Sequence, residues 1–84
     1  MDINELTYNI NGAIFEVNRE LGVGFLEKVY ENALLVELGK RGLEAESQVP
    51  VKVKYKGTEV GQSYVDIVVE NQVIVELKSV DSLQ

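Results

Sequence analysis

Apolar residues recur every three or four positions at the start of the chain, and this spacing predicts an amphipathic helix over residues 2–21. They are Ile3, Leu6, Ile10, Ala13, Ile14, Val17 and Leu21. Asp2 followed by Glu5 resembles a capping box, in which the aspartate accepts from exposed backbone amides. Gly22-Val23-Gly24 predicts the end of the helix, because glycine tolerates the left-handed backbone of a C-terminal cap.

A second helix is predicted over about 26–40, with Gly42 as its terminator. Its expected buried stripe is Leu26, Val29, Tyr30, Ala33, Leu34 and Leu38. Glu27 falls in the first turn, where an acid favours the helix dipole. Glu31 lies one turn later and is predicted to be solvated. Tyr30 is expected to pack in the core with its hydroxyl hydrogen-bonded.

After Gly42 the apolar period changes to two, which predicts strands. Val49, Val51, Val53 and Tyr55 alternate with Lys52, Lys54 and Lys56 in a half-exposed strand. Lysines in such a row can contact phosphates, but on an edge strand they also guard against aggregation, and the second interpretation is preferred. Two further strands are predicted over about 60–69 and over 73–78. Both are apolar on both faces, as in central strands covered on both sides. The predicted fold is mixed α+β: two N-terminal helices packed on a three-stranded antiparallel β-meander.

Asp66, Glu76 and Lys78 interrupt the last two apolar strands. A charge in such a setting is costly unless it is paired or binds a metal. Glu76 and Lys78 share a sheet face because they are two residues apart. A two-residue turn at Asn71-Gln72 would place Asp66 opposite Leu77, on the other face. A three-residue loop at 70–72 would place Asp66 opposite Glu76, and Asn71 accepts the left-handed backbone that such loops need. The three-residue loop is the prediction.

Two carboxylates beside a lysine suit a hard cation such as Mg²⁺. Such an ion polarises a phosphoryl oxygen and lowers the pKa of a bound water, while the lysine orients that water or steadies developing charge. A structural salt bridge between neighbouring strands remains the alternative, since ion-pair networks also gather charges in this way.

Composition narrows the function classes further. The 84 residues predict a single domain, and the absence of cysteine and histidine excludes a disulfide scaffold, a thiolate zinc site and histidine-based catalysis. No apolar run reaches the ~20 residues of a membrane span, so a cytoplasmic protein without membrane contact is expected. The net charge of −6 disfavours a polyanionic partner, although bound divalent ions would offset part of it.

Several stretches together resemble the GxxExxY protein family, and they follow one another in the family's order over about residues 6–80. The stretch Gly24-Phe25-Leu26-Glu27-Lys28-Val29-Tyr30 matches the motif that names the family, and Glu31-Asn32-Ala33-Leu34 follows it. The later ones are Gln48-Val49-Pro50, Tyr55-Lys56-Gly57, Val65-Asp66-Ile67-Val68-Val69-Glu70 and Ile74-Val75-Glu76-Leu77-Lys78-Ser79-Val80. The family belongs to the PD-(D/E)xK nuclease-like superfamily, whose core is a helix packed on a small mixed sheet.

The resemblance implies a role for each matching residue. Asp66 would be the motif aspartate, although Val65 stands where the motif has proline, and Glu76 and Lys78 would be the ExK pair. Glu27 would be the helix acid, acting as an extra metal ligand or holding water. The resemblance thus implies a metal-dependent nuclease with Mg²⁺ or Mn²⁺, with Asp66, Glu76 and Glu27 as metal-site residues. Its substrate would be nucleic acid, with DNA expected in preference to RNA. Gln48 would lie near the site.

The sequence departs from this family at its C-terminal end. Members usually continue beyond the ExK strand with a helix and a further strand, whereas this sequence stops at Gln84. The expectation is therefore a partial nuclease-like core whose open sheet edge supports a homodimer or higher oligomer. A non-catalytic interaction module that keeps this fold is the alternative to the nuclease.

Overall fold

Two helices followed by a three-stranded sheet make up the fold, and the computed structural model describes residues 1–78. In chain order the elements are α1 (Ile3–Leu21), α2 (Glu27–Lys40), β1 (Ala45–Tyr55), β2 (Thr58–Val69) and β3 (Val73–Val75). This arrangement confirms the predicted α+β fold class. Ser79 and Val80, which end the last family-like stretch, lie outside the described residues, as does the expectation for the chain beyond them.

The helices begin and end close to the predicted positions. The Asp2 carboxylate accepts from the Glu5 amide at 2.9 Å, and Gly22, at φ 69°, ends α1 in the left-handed region. Leu26 keeps an extended backbone, so α2 starts at Glu27 rather than at the predicted Leu26. Within residues 1–78, neither helix has the length and apolar content that a membrane crossing requires.

The sheet is an antiparallel meander in the order β1-β2-β3, so β2 is its central strand. β1 begins at Ala45, earlier than the predicted start at Val49, and β3 ends at Val75, before the predicted end at Lys78. The early start of β1 follows from its pairing, because Ala45 lies opposite Val69 at the far end of β2. The early end of β3 is caused by Asp66, as described below.

The hydrophobic core lies between the two helices and one face of the sheet. β2 contributes Val65, Ile67 and Val69, which alternate with less buried neighbours. The helices contribute Leu6, Ile10, Ala13 and Val17 from α1 and Leu34 and Leu38 from α2. Odd-numbered positions of β2 therefore face the helices, and even-numbered positions face the opposite side of the sheet.

The prediction that β2 and β3 are covered on both faces is wrong for residues 1–78. Ile74 lies on the face opposite the helices and is 60% exposed, while Val68 on the same face is half-buried. The reason is that both helices contribute to one cluster on a single side of the sheet.

Beyond the core, β1 and β2 continue as a two-stranded projection, here called the hairpin arm (Pro50–Tyr64). Every residue of the arm is exposed. Val51 and Val53 are 40% and 42% exposed, so the predicted half-exposed strand is instead exposed on both faces here. The physical reason is length: the buried residues of β2 are confined to 65–69, and the strands run well past the helices that cover them.

Candidate functional site

The connection between β2 and β3 determines where the charged residues meet. Val69 pairs with Val73, which leaves the three-residue loop Glu70-Asn71-Gln72, as predicted. Glu70 and Asn71 both adopt left-handed backbone, at φ 53° and 54°. Pairing continues to Ile67 opposite Val75. Continued by one position, this register would set Asp66 opposite Glu76, as the metal-site hypothesis needs, but β3 ends at Val75.

At Asp66 the ladder between β2 and β3 stops, and a side chain replaces the backbone pairing. Asp66 Oδ2 accepts from the Leu77 amide at 2.7 Å. A carboxylate acceptor makes this a strong, charge-assisted hydrogen bond. This hydrogen bond holds the segment after Val75 beside β2, although the segment no longer pairs with β2 through its backbone. Glu76 is the first residue of that segment.

The side chains after Val75 keep the alternation of a strand. Val75 and Leu77 are half-buried against the core, whereas Glu76 and Lys78 are exposed. Asp66, half-buried, belongs to the even-numbered face of β2. Glu76 and Lys78 are thus the solvent-accessible members of this segment.

A cleft of about 500 Å³ adjoins this segment, between the Gly22–Leu26 loop, the start of α2 and residues 75–78. Glu27, Glu76 and Lys78 all line it, together with apolar side chains such as Leu34. Asp66 is not one of the described residues that line this cleft. Glu76 therefore both lines the cleft and directly follows Val75, the last residue of β3 that pairs with β2.

Tyr30 fixes the loop that carries Glu27 to the cleft. Its hydroxyl donates to the Gly22 carbonyl at 2.6 Å and accepts from the Phe25 amide at 3.3 Å. The Phe25 and Tyr30 rings meet edge to face, with centroids 6.2 Å apart. The prediction that Tyr30 packs with a satisfied hydroxyl is confirmed. Its effect is to hold the turn between α1 and α2, and hence the first residue of α2, in place.

The predicted metal-site acids are only partly brought together. Within residues 1–78, no three aspartate or glutamate side chains form a group that could hold one metal ion. The last pair of the register, Ile67 with Val75, is adjacent to Asp66 and Glu76, and Glu27, Glu76 and Lys78 line the same cleft. The metal roles of Asp66, Glu76 and Glu27 remain predictions.

Glu31 is buried, with 4% exposure, so the prediction that it is solvated is wrong. Both of its carboxylate oxygens accept from Gln48 Nε2 at 3.4 Å, and Lys28 Nζ lies 3.5 Å away. The burial arises because Glu31, Leu34 and Leu38 form the inner stripe of α2. A carboxylate in this position is costly and is held by long contacts only.

Gln48, the hydrogen-bond donor to this buried acid, is next to Asp66 in the strand register. Ser47 pairs with Ile67 and Val49 with Val65, so Gln48 lies opposite Asp66 on the neighbouring strand. Its backbone is left-handed, at φ 53°, which is unusual for a residue other than glycine, asparagine or aspartate. Sequence reasoning missed Glu31, although its spacing of three and seven residues to Leu34 and Leu38 was a usable signal.

Comparison with known protein families identifies one that this chain matches. The family description "PD-(D/E)XK nuclease superfamily" matches residues 4–84, nearly the whole sequence. No curated protein and no solved structure gives a significant match. The chain belongs to the PD-(D/E)XK nuclease superfamily.

Proposed function

We propose that this domain is a metal-dependent nuclease that hydrolyses phosphodiester bonds in nucleic acid, with Asp66, Glu76 and Lys78 as its central residues. The observation that carries the proposal is the hydrogen bond from the Leu77 amide to Asp66 Oδ2, which holds the segment with Glu76 and Lys78 beside Asp66 at the end of β3. Membership of the nuclease superfamily supports the same reaction class.

The donor set fits a magnesium or manganese ion. Mg²⁺ binds through one or two carboxylates and keeps several of its waters. Asp66 uses Oδ2 for the Leu77 amide, which leaves Oδ1 for a ligand, and Glu76 is exposed. When bound, the ion would polarise a phosphoryl oxygen and lower the pKa of a coordinated water. Asp66 and Glu76 would hold it, and Glu27 would contribute from the cleft.

Lys78 supplies the positive charge on the protein side. It is exposed, two residues from Glu76 on the same side of the segment, and lines the cleft. A lysine ammonium there would orient the attacking water and stabilise the negative charge that develops on the phosphoryl oxygens as the bond to the leaving oxygen breaks. No histidine is present in the chain to carry out this work.

The Leu77 amide bond gives Asp66 a fixed orientation before substrate arrives. One carboxylate oxygen is tied to the backbone at 2.7 Å, which restricts rotation of the side chain. Preorganisation of this kind lowers the reorganisation that a metal or substrate would require on binding.

The proposal is tested by nuclease assays on plasmid DNA, single-stranded DNA and single-stranded RNA with Mg²⁺ or Mn²⁺, and with EDTA as the blank. We expect metal-dependent cleavage by the parent, and a loss of about 100-fold or more in Glu76→Gln and Lys78→Gln. Glu46→Gln and Lys40→Gln are the matched controls, since both are exposed and lie outside the site. A folded parent that cleaves nothing, or a Glu76→Gln variant with parental rates, would contradict the proposal.

A non-catalytic interaction module is the second candidate. The observation that favours it is the apolar side of the hairpin arm, where Val51, Val53 and Tyr55 are 40–63% exposed. An isolated two-stranded hairpin is only marginally stable in water, so a partner covering this side would stabilise it. Sedimentation of the parent and of a Val51→Ser, Val53→Ser variant separates the two: self-association that the variant loses, without nuclease activity in the parent, favours the module.

A further inference from the structure

Three basic residues on or beside the helices pair with acids: Arg19 with Glu16 and Glu20, Lys28 with Glu31, and Arg41 with Glu37. Lys40, at the end of α2, and Lys78 form no ion pair within residues 1–78. The lysines of the hairpin arm, Lys52, Lys54 and Lys56, also form no ion pair with any residue in 1–78, and Lys56 lies over the Tyr55 ring at 5.5 Å. Glu59, the cross-strand partner of Lys54, is the one acid of the arm, and it offsets only part of this positive charge.

The hairpin arm is positively charged, whereas the chain as a whole is negatively charged. The hairpin arm contains three lysines and one acid, Glu59, giving a local charge of +2 in a chain whose net charge is −6. An even mixture of signs would suffice for solubility. A segregated positive arm on a negative protein instead produces a directional field that attracts polyanions to one end of the domain.

The strand register places the arm's lysines on the same sheet face as Asp66. Lys52 lies opposite Gln62 and Pro50 lies opposite Tyr64, and Gln62, Tyr64 and Asp66 are successive alternate residues of β2. Directly opposed residues share a face, as do residues two apart on one strand. Tyr64 and Gln62 therefore continue the face of Asp66 along β2, and Lys52 joins them from β1.

Lys54 extends the same face. It is two residues beyond Lys52, and the pairing shifts from Val53–Gly61 to Lys54–Glu59, so the extra residue belongs to β2 and β1 stays regular. We call Lys52, Lys54, Gln62 and Tyr64 the lysine face. At about 3.3 Å per residue, Lys52 lies roughly 13 Å along the sheet from the Gln48–Asp66 position, and Lys54 roughly 20 Å.

We propose that the lysine face binds a single strand of nucleic acid and directs it to Asp66. The proposal deepens the proposed function and rests on it for the reaction at Asp66, but the binding itself is independent of catalysis. Lysine ammonium groups neutralise successive backbone phosphates. Tyr64, which is 57% exposed and stands between the lysines and Asp66, offers a ring on which an unpaired base stacks.

Protection of an edge strand does not account for this face. Lysines alone would guard the edge, but an exposed tyrosine on the same face adds apolar surface, which works against that protection. Positive charge followed by an exposed aromatic ring and then by paired acids is instead the order that a nucleic-acid strand entering a phosphodiester-cleaving site would need.

Binding is measured by fluorescence anisotropy with labelled single-stranded DNA, single-stranded RNA and duplex DNA, in EDTA so that no probe is cleaved. We expect the parent to bind both single strands, and more tightly than the duplex. Lys52→Gln and the Lys52→Gln, Lys54→Gln double variant should bind more weakly. Lys40→Gln is the matched control for one lost charge, since Lys40 is exposed at the end of α2 and away from this face.

Salt dependence distinguishes contact with phosphates from a general change in net charge. Each lost phosphate contact lowers the slope of log affinity against log salt by about 0.7 for a single strand. When salt is raised from 50 to 200 mM, the affinity of a variant that has lost one phosphate contact should therefore fall by a factor about 2.6 times smaller than that of the parent. For the double variant the factor should be about seven times smaller. Lys40→Gln should keep the parental slope. Equal slopes for Lys40→Gln and Lys52→Gln would overturn the proposal.

Tyr64 tests whether the ligand is a nucleic acid rather than any polyanion. Tyr64→Ala should weaken single-strand binding by about fivefold or more, because a base–aromatic stack is lost, and should leave binding of inorganic polyphosphate unchanged. Tyr8→Ala, which alters a tyrosine 77% exposed on α1, should bind as the parent does. A Tyr64→Ala variant that binds single strands with parental affinity would overturn the assignment.

The outcomes separate this inference from the proposed function. Lysine-dependent binding without cleavage in any metal supports the lysine face and counts against the nuclease. Cleavage by the parent with parental binding by the lysine variants overturns the lysine face alone. Absence of binding by the folded parent, or self-association through the arm that excludes the strand, also overturns it.

Discussion

Asp66 is expected to stabilise the fold as well as to serve the site, and substitution to alanine exposes this second role. The change removes the acceptor of the Leu77 amide, a 2.7 Å hydrogen bond to a charged group. Such bonds contribute about 1.5–3 kcal/mol, and the half-buried position of Asp66 reduces the expected loss to about 1–2 kcal/mol. For a domain of this size that corresponds to a fall in Tm of roughly 5–15 °C.

Two further variants separate the hydrogen bond from the charge. Asp66→Asn keeps an oxygen acceptor and should lose less than half as much free energy of unfolding as Asp66→Ala. Glu76→Ala removes an exposed carboxylate for which no hydrogen bond or ion pair is recorded within residues 1–78, so its free energy of unfolding should change by no more than about 0.5 kcal/mol. Asp66→Asn should therefore retain the fold while losing metal affinity.

The assay is urea unfolding followed by circular dichroism, with amide hydrogen exchange at Leu77 as the local readout. Asp66→Ala should lower the unfolding free energy and speed exchange of the Leu77 amide, whereas Asp66→Asn should leave that amide protected. The reasoning is refuted when Asp66→Ala is no less stable than Glu76→Ala, or when the asparagine variant is as unstable as the alanine variant.

Three other predictions concern the surroundings of the site. Glu31→Gln should raise the free energy of unfolding by about 1 kcal/mol in urea titrations, because a buried amide loses less hydration than a carboxylate held by long contacts; a loss of stability would count against this. Tyr30→Phe should lower the free energy of unfolding by about 1 kcal/mol and speed hydrogen exchange of the Phe25 amide, because that amide loses the Tyr30 hydroxyl as its acceptor. Unchanged exchange at Phe25 would contradict this prediction. Gly22→Ala should lower the free energy of unfolding by about 1 kcal/mol, because φ at this position is 69°. Gly39→Ala should raise it by a similar amount, because Gly39 lies within α2 and nothing obstructs a methyl group there. Thermal unfolding in which both variants shift Tm in the same direction would contradict this pair of predictions.

The helices and the hairpin register followed from local signals in the sequence. The cap at Asp2, the glycine at position 22 and the period of the apolar residues determine α1 without reference to the rest of the chain. The three-residue loop was predictable because Asn71 accepts a left-handed backbone and because the alternative loop would have separated the two acids. Those features depend on neighbours a few residues apart, which the sequence displays directly.

The end of β3 and the burial of Glu31 depend on contacts that the sequence does not display. β3 stops because the Asp66 side chain takes the amide of Leu77, an interaction between positions eleven residues apart. Glu31 is buried because its stripe on α2 faces Gln48 on β1, at a separation of seventeen residues. Its position one turn beyond Glu27 predicts a solvated residue, although its spacing to Leu34 and Leu38 indicates a buried one.

The exposure of the hairpin arm was also beyond local reasoning. Alternation in Val49, Val51 and Val53 predicts one buried face, but only strand length relative to the helices decides how much of that face is covered. The sequence indicated the row of lysines without showing that Lys52 shares a face with Asp66. That relation needed the register of β1 on β2.

The most direct test of the central claim is calorimetric titration of Mg²⁺ and Mn²⁺ into the parent and into an Asp66→Asn, Glu76→Gln double variant, with circular dichroism to verify folding. The account predicts binding by the parent that disappears in the folded double variant. Absence of metal binding by the folded parent, or unchanged binding by the double variant, would contradict the assignment of Asp66 and Glu76 as the metal site.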